Sequence, residues 1–488
     1  MSTLEQFFHA YRKYVIGIEH RYETPYGWKN MIYADWTASG RLYTPIEKKM
    51  TEIVGPFMAN THTEASAAGE MMSNWYRHAR RIIKTHVNAD LEQDVLLTSG
   101  SGTTGVINVF QRILGLRVPE SVRCQIRLKE EDRPLVIVTH MEHHSNHTSW
   151  LETTADVMVL KPDTDGNISL TNLKLLLEEN RHRKLIIGAF TACSNVTGVS
   201  TPYYQMAKLL HTYNGLCFVD FAAAAPYVNI NMHPEDPLER LDAIYFSPHK
   251  FLGGPGSCGV LLFDKKLYQN GIPDAVGGGT VKWTNPWGEK SYCDDIEERE
   301  HGGTPGILQV IRVALCLKLK EQMGLKSIHE RENELLDIVF KGLKRNPHIH
   351  MLEPEKSARL GIISFYSETI HYNLFTKLLS DRFGIQARGG CSCAGTYGHY
   401  LLDIDKEFSK QITNRIDAGY MDVKPGWVRI SLHPVMTNKE AHEIVHAISE
   451  VTQHYDSWKM DYEYDRNTNQ FVHIGFQHSN DIYSFFAV

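Results

Sequence analysis

Val95-Leu96-Leu97-Thr98-Ser99-Gly100-Ser101-Gly102-Thr103-Thr104-Gly105 joins a short apolar run to a glycine-rich turn, and VINVFQRIL follows with helical spacing. A strand that feeds a helix through such a turn is the repeating unit of a parallel sheet covered by helices. The same pattern recurs outward from this stretch. Apolar runs begin at 135 (LVIVT), 157 (VMVL), 185 (LIIGAF), 216 (LCFVDF), 243 (AIYFS) and 259 (GVLLF), separated by polar or helix-patterned segments such as YYQMAKLLHTY. Seven such runs predict an α/β domain with a mostly parallel seven-stranded sheet. Ligands of such sheets bind beyond the carboxyl ends of the strands, in the loops that follow.

The whole chain has 488 residues, enough for two to four folding units at roughly 100 to 200 residues each. With 42% hydrophobic and 22% charged residues it has an ordinary soluble composition, which argues against long disorder. A net charge of −6 leaves no basic surplus for binding nucleic acid or an anionic membrane, so a small molecule is the expected partner. Eight scattered cysteines include no CxxC pair and form no disulfide framework. No apolar run approaches the roughly 18 residues of a membrane span, and the opening MSTLEQFFHAYRKYVIGIEH carries Glu5 and no signal-like core. A cytoplasmic protein is expected.

Leu4, Phe7, Phe8, Tyr11, Val15 and Ile18 recur at helical spacing, so residues 1–30 read as an N-terminal helical segment packing with the small C-terminal domain. A large domain is expected at 31–310. A small α+β domain follows at 311–455, with strand-like GIISFY at 361 and WVRISL at 427, and helices at NLFTKLLSDRF and from Lys439 to Thr452. The extension at 456–488 is polar and aromatic with weak alternation, and no chemistry is read in it.

Three strand ends carry candidate chemistry. Gly100 to Gly105 spells GxGxxG at the start of a helix, where unpaired backbone N–H groups bind phosphate and Thr103 and Thr104 add hydroxyls; a plain strand-to-helix turn is the alternative. The dinucleotide reading of this motif wants an acid about 20 residues on, but the next strand ends in His140-Met141-Glu142-His143-His144. Asp220 ends LCFVD before four alanines: either a helix cap or a partner for a protonated ring nitrogen. Lys250 follows AIYFS within Ser247-Pro248-His249-Lys250-Phe251, where burial would lower its pKa and leave a nucleophilic amine. A phosphate cradle, a carboxylate and a Schiff-base lysine together meet the requirements of pyridoxal phosphate. A nicotinamide site would not need the lysine.

From Tyr33 to Val451 the sequence resembles the class V aminotransferase family of fold type I pyridoxal-phosphate enzymes, most of all the cysteine desulfurases and selenocysteine lyases. Tyr33-Ala34-Asp35-Trp36-Thr37-Ala38-Ser39 resembles the opening YLDNAAT, and Gly102-Thr103-Thr104 the phosphate-cup GTT. HMEHHSNHTSW at 140–150 resembles the EHHAN element, which implies that His143 stacks on the cofactor ring. Cys193-Ser194-Asn195 resembles HVSNVLG, implying that Asn195 lies near the cofactor hydroxyl and the substrate carboxylate. By the same resemblance Asp220 is the pyridine-nitrogen aspartate, Ser247 and His249 contact phosphate, and Lys250 is the Schiff-base lysine. Gly303-Thr304-Pro305 resembles AGTP, implying a homodimer in which Thr304 reaches the neighbouring site. Arg429 resembles the arginine that grips the substrate carboxylate.

Arg388-Gly389-Gly390-Cys391-Ser392-Cys393-Ala394 resembles RxGxxCA, which places the sulfur-accepting role on Cys393, with Arg388 beside it and in the substrate site. The implied reaction is desulfuration of L-cysteine to L-alanine with a persulfide on Cys393, and a sulfur-acceptor protein as partner; two small cysteines in a tight turn are the structural alternative. Transamination, selenocysteine lysis, epimerisation and β-elimination are other reactions of the same scaffold. No metal is expected, since the histidines at 140, 143, 144 and 147 lack HExxH spacing. Ala223 stands where the family carries a glutamine toward the cofactor's phenolic oxygen. Excess length falls mainly at 284–300, 400–425 and the tail.

Overall fold

All seven apolar runs are strands in the computed structural model, which describes residues 2–61, 64–476 and 485–487. They are β1 (Asp94–Ser99), β2 (Leu135–Thr139), β3 (Asp156–Leu160), β4 (Ile186–Thr191), β5 (Leu216–Asp220), β6 (Ala243–Phe246) and β7 (Gly259–Asp264). Their order across the sheet is β1-β7-β6-β5-β4-β2-β3, and β7 alone runs against its neighbours. Alternate residues feed two cores: Leu135 and Ile137 join one cluster, Val136 and Val138 the other. That is the period-two signature of a sheet covered on both faces. On one face, α2 (Thr103–Ile113) buries Phe110 against Phe218 and Phe263, each with ring centroids 5.0 Å away.

The last third builds a four-stranded antiparallel sheet from β8 (His350–Met351), β9 (Ile362–Tyr366), β10 (Arg388–Gly390) and β11 (Trp427–Ser431), in the order β8-β9-β11-β10. Helices α4 (Tyr372–Phe383), α5 (Lys406–Asp417) and α6 (Asn438–Trp458) belong to the same unit. α6 opens with a reciprocal cap between Thr437 and Glu440. Glu440 also accepts both forks of Arg12 at 2.8 and 2.9 Å, docking α1 (Thr3–Arg12) on this unit.

The N-terminal helix is shorter than its apolar spacing predicts. It stops at Arg12 because Val15 bridges to Tyr43 and Gly17 turns the chain at φ +80°, although Val15 still reaches the core. Residues 21–30 are an antiparallel hairpin rather than helix. The chain then crosses between the units: Ile32–Tyr33 pairs in parallel with Ile385–Gln386, and Asp35 bridges to Ser431. This crossing delivers Asp35 to the seam where the two sheets meet.

Candidate active site

The loops beyond the carboxyl ends of β1, β2, β4, β5 and β6 converge on a cavity of about 460 Å³, closed from the other side by β10, β11 and the turn after β10. Thr103, Thr104, His143, Asn195, Asp220, Ser247, His249, Lys250, Arg388, Cys393 and Arg429 all line it. Of the residues predicted from sequence, only Thr304 lies elsewhere, 3.1 Å from Asn60 Nδ2.

One end of the cavity is a ring of donors. Thr103 N–H donates to Ser247 Oγ at 2.9 Å, and Thr104 and Ser145 hydroxyls meet at 2.6 Å. A Cβ on Gly259 would come within 2.3 Å of Gly102 O, so the helix start can lie this close to β7 only because that position is glycine. Burial and the Lys250 charge push His249 down to about 4, so its imidazole is neutral.

In the middle, Asp220 accepts from Ala222 N–H at 2.8 Å, and burial pushes its carboxyl up to about 6. Such an acid seeks a cation. Burial also lowers Lys250 to about 8, against the opposing pull of Asp220. His143 caps α3 (His144–Leu151) by accepting from Ser145 N–H at 3.1 Å, and burial with Lys250 nearby pushes it down to about 3. Its ring is therefore neutral and available for stacking. Ala222 and Ala223 form a wall without hydrogen-bonding side chains.

At the far end Asp35 holds both arginines. Its Oδ2 accepts from Arg388 Nε and Nη2 at 3.0 and 2.9 Å, and its Oδ1 accepts from Arg429 Nη2 at 2.8 Å. Arg429 Nη1 also donates to Asn195 O at 3.0 Å. Two guanidiniums against one carboxylate leave one positive charge beside the cavity, a seat for an anionic ligand. Arg429 Nε and Asn195 Oδ1 are buried with no hydrogen-bond partner among the described residues. A buried donor or acceptor left without a partner is costly unless a ligand completes it.

Ser392 and Cys393 adopt left-handed backbone, φ +53° and +55°, which costs non-glycine residues of order 1 kcal/mol each. Neighbours fix the turn. Asn195 Nδ2 donates to Ser392 O at 2.8 Å, Trp427 Nε1 to Ser392 Oγ at 3.2 Å, and His144 N–H to Cys393 O at 2.8 Å. Cys393 is exposed at the cavity wall, whereas half-buried Cys391 packs against the cluster of Met141, Val196, Tyr397 and Trp427.

The four histidines of residues 140–147 serve separate ends. His140 stands edge-on to Tyr397 and Tyr400, His144 Nε2 accepts from Gly395 N–H at 2.9 Å, and His147 meets Thr396 at 3.1 Å. Among the described residues no group of His, Cys, Asp or Glu is arranged to hold a metal ion. The sequence alone does not reveal the roles of Asp35, Trp427 and His144, although all three lie within recognisable segments, Tyr33–Ser39, Trp427–Leu432 and His140–Trp150.

A phosphate-sized ring of donors, a buried acid, a neutral histidine and a lysine with lowered pKa, together with the two orphaned atoms, fit pyridoxal phosphate carrying an amino acid. On this sheet, with the small antiparallel unit closing over it, they define a fold type I pyridoxal-phosphate enzyme. The chain belongs to the class V aminotransferase family, whose model matches residues 32–444. A probable cysteine desulfurase of Staphylococcus epidermidis is 27% identical over 371 residues, covering 75% of this chain and 84% of the relative. A Staphylococcus aureus protein of the same description is 26% identical with the same coverage. Among solved structures, the Escherichia coli cysteine desulfurase CsdA in S-sulfonic acid form superposes with TM-score 0.69 at 20% identity, covering 93% of this chain and 99% of that one. The apo cysteine desulfurase of Thermococcus onnurineus gives 0.68 at 21% identity over 87% and 95%.

Proposed function

We propose that the protein is a cysteine desulfurase, converting L-cysteine to L-alanine and leaving a persulfide on Cys393. The observation that carries this reading is an exposed cysteine in a fixed left-handed turn, on the wall of a cavity that also holds Lys250, Asp220 and Arg429. The names of the similar proteins support it.

In this reading Thr103, Thr104, Ser247 and His249 would hold the phosphate of pyridoxal phosphate, His143 would pack against its ring, and Asp220 would pair with its ring nitrogen. Bound pyridoxal phosphate supplies a carbonyl that condenses with amines and a ring that accepts electrons freed at Cα. Arg429 and Arg388 seat the substrate carboxylate, and Asn195 orients the group beside it. The neutral amine of Lys250 takes the Cα proton and returns protons to the product. Cys393 sulfur attacks the substrate sulfur: an S–S bond forms, the Cβ–S bond breaks, and the electron pair left on carbon takes a proton to become the alanine methyl group. The two sulfurs are oxidised by one electron each as that carbon gains two, so the step balances internally.

The large unit, 31–310, contributes Lys250 and Asp220, and the small unit, 311–455, contributes Arg388, Cys393 and Arg429, so the seam between them is the substrate site. Thr304 lies outside the cavity of its own chain, which favours a homodimer in which it completes the phosphate site of a second copy. Free cysteines at all eight positions suit a reducing cytoplasm. No helix among the described residues is long and apolar enough to cross a membrane. The exposed position of Cys393 suits delivery of sulfur to an acceptor protein.

The direct test is holoenzyme with L-cysteine and a thiol reductant, scored for alanine and sulfide in equal amounts. Keto acid, D-isomer or pyruvate in place of alanine would assign transamination, epimerisation or β-elimination instead. Arg429→Lys is expected to lower kcat/KM for cysteine by roughly tenfold to a hundredfold, because an ammonium cannot form the charge-assisted fork. Steady-state kinetics checks this, with the change expected chiefly in KM.

A further inference from the structure

Beyond the last residue that the family model matches, α6 runs on to Trp458 and the chain folds into a hairpin of β12 (Tyr462–Asp465) and β13 (Gln470–His473). Asn469 sits at its turn, buried at 7% exposure and left-handed at φ +55°. Every polar group of its side chain, and its carbonyl, is spent on α4 or on the hairpin itself. Nδ2 donates to Tyr372 OH at 2.9 Å, Oδ1 accepts from Tyr464 OH at 2.8 Å, and the carbonyl accepts from Asn373 Nδ2. His371, at the head of α4, packs against the Tyr464 and Phe471 rings of the hairpin, with centroids 5.8 and 5.4 Å away.

Tyr372 and Asn373 in turn press on β10 and the approach to β11. A Cβ on Gly389 would meet Asn373 Oδ1 at 2.6 Å, and one on Gly426 would meet the Tyr372 ring at 2.7 Å. At either position a larger residue would push the Asn373 or Tyr372 side chain off its present contact. β10 carries Arg388 and runs directly into Cys391, Ser392 and Cys393, and Gly390 pairs with Trp427, which donates to Ser392.

We infer that the C-terminal hairpin is a positioning element for the cysteine turn, acting from outside through Asn469, Tyr372 and the glycines of β10. The active-site side of the turn is fixed by Asn195 and His144, and the hairpin fixes the other side. The inference rests on the desulfurase reading only for its kinetic arm, since a positioned sulfur is also measurable as a thiol. A displacement of about 1 Å costs up to about a hundredfold in rate when two atoms must meet in line.

The test uses the holoenzyme carrying Asn469→Ala, Asn469→Asp or Tyr372→Phe. Asn469→Ala is expected to change the alkylation rate of Cys393 by iodoacetamide severalfold and to lower kcat for alanine formation about tenfold. Deuterium exchange at Cα of L-alanine, which uses Lys250 and not Cys393, should stay within about twofold of wild type. Tyr372→Phe should reproduce the effect, and Asn469→Asp, whose second oxygen takes the place of Nδ2 and can accept from the Tyr372 hydroxyl with the bond reversed, should restore most of the rate. Unchanged alkylation and turnover in Asn469→Ala would overturn the inference, and so would an equal loss of exchange and desulfuration, which would mark a general folding defect. If wild type makes no alanine from cysteine, the desulfurase reading fails while the alkylation arm still decides on the brace.

Discussion

Lys250→Ala is expected to reduce alanine release from L-cysteine by about 10^3- to 10^4-fold, and to abolish Cα deuterium exchange with L-alanine to the same degree. Both losses follow from one amine. Lys250 lies in the turn after β6 and lines the cavity together with Asp220, and burial lowers it to about 8 from its ordinary value near 10.5. An amine captures a carbonyl and abstracts a proton only in its neutral form. Loading of the apoprotein with cofactor should therefore rise with pH to a plateau above about 8, and fall about tenfold per pH unit well below that value. The alanine variant should lose this profile together with the stable visible band of the bound cofactor. Added methylamine, small enough for the space left by the side chain, should restore part of the exchange. A variant that keeps exchange at half the wild-type rate would remove Lys250 from the mechanism. Thermal unfolding should change little or improve, because the substitution removes a cation that burial already disfavours.

The sequence was most legible where function follows directly from local chain grammar. Each of the seven strands of the large sheet lies in an apolar run, and where a strand leads to the cavity a polar residue at or shortly after its carboxyl end faces it: Thr103 after β1, His143 after β2, Asp220 at the end of β5, Lys250 after β6. Contacts between distant segments were not legible. Asp35 grips Arg388 across 353 positions and Arg429 across 394, and no spacing rule reaches so far. The helical spacing of Val15 and Ile18 misled because apolar residues reach the same core from a turn as from a helix. The weak alternation of the tail is that of an exposed two-stranded hairpin, whose key partner, Tyr372, lies 97 positions upstream. Thr304 is legible only as a motif, since nothing in its own chain brings it to the cavity.

Cys393→Ser separates the chemistry of the scaffold from the chemistry of the turn. Alanine and sulfide formation from L-cysteine should fall by about 10^3-fold or more, because a hydroxyl oxygen neither attacks sulfur at this rate nor carries a persulfide. Cα exchange with L-alanine should persist within a few-fold, since Lys250, Asp220 and Arg429 are untouched. Cys391→Ser makes the opposite prediction. Cys391 packs into an apolar cluster rather than lining the cavity, so its loss should cost some stability and leave most of the turnover. Mass spectrometry of wild type after one turnover without reductant should find one added sulfur atom on the peptide bearing both cysteines, absent from Cys393→Ser and present in Cys391→Ser. The turn makes this assignment a strong one, because it admits little substitution of one cysteine for the other. With Ser392 and Cys393 both left-handed and their carbonyls held by Asn195 and His144, the two sulfurs cannot exchange places without breaking those hydrogen bonds. If Cys393→Ser continued to release sulfide and alanine at the wild-type rate, a thiol other than Cys393 would be taking the sulfur and Cys393 would lose its assigned role; sulfide with pyruvate in place of alanine would mark β-elimination instead.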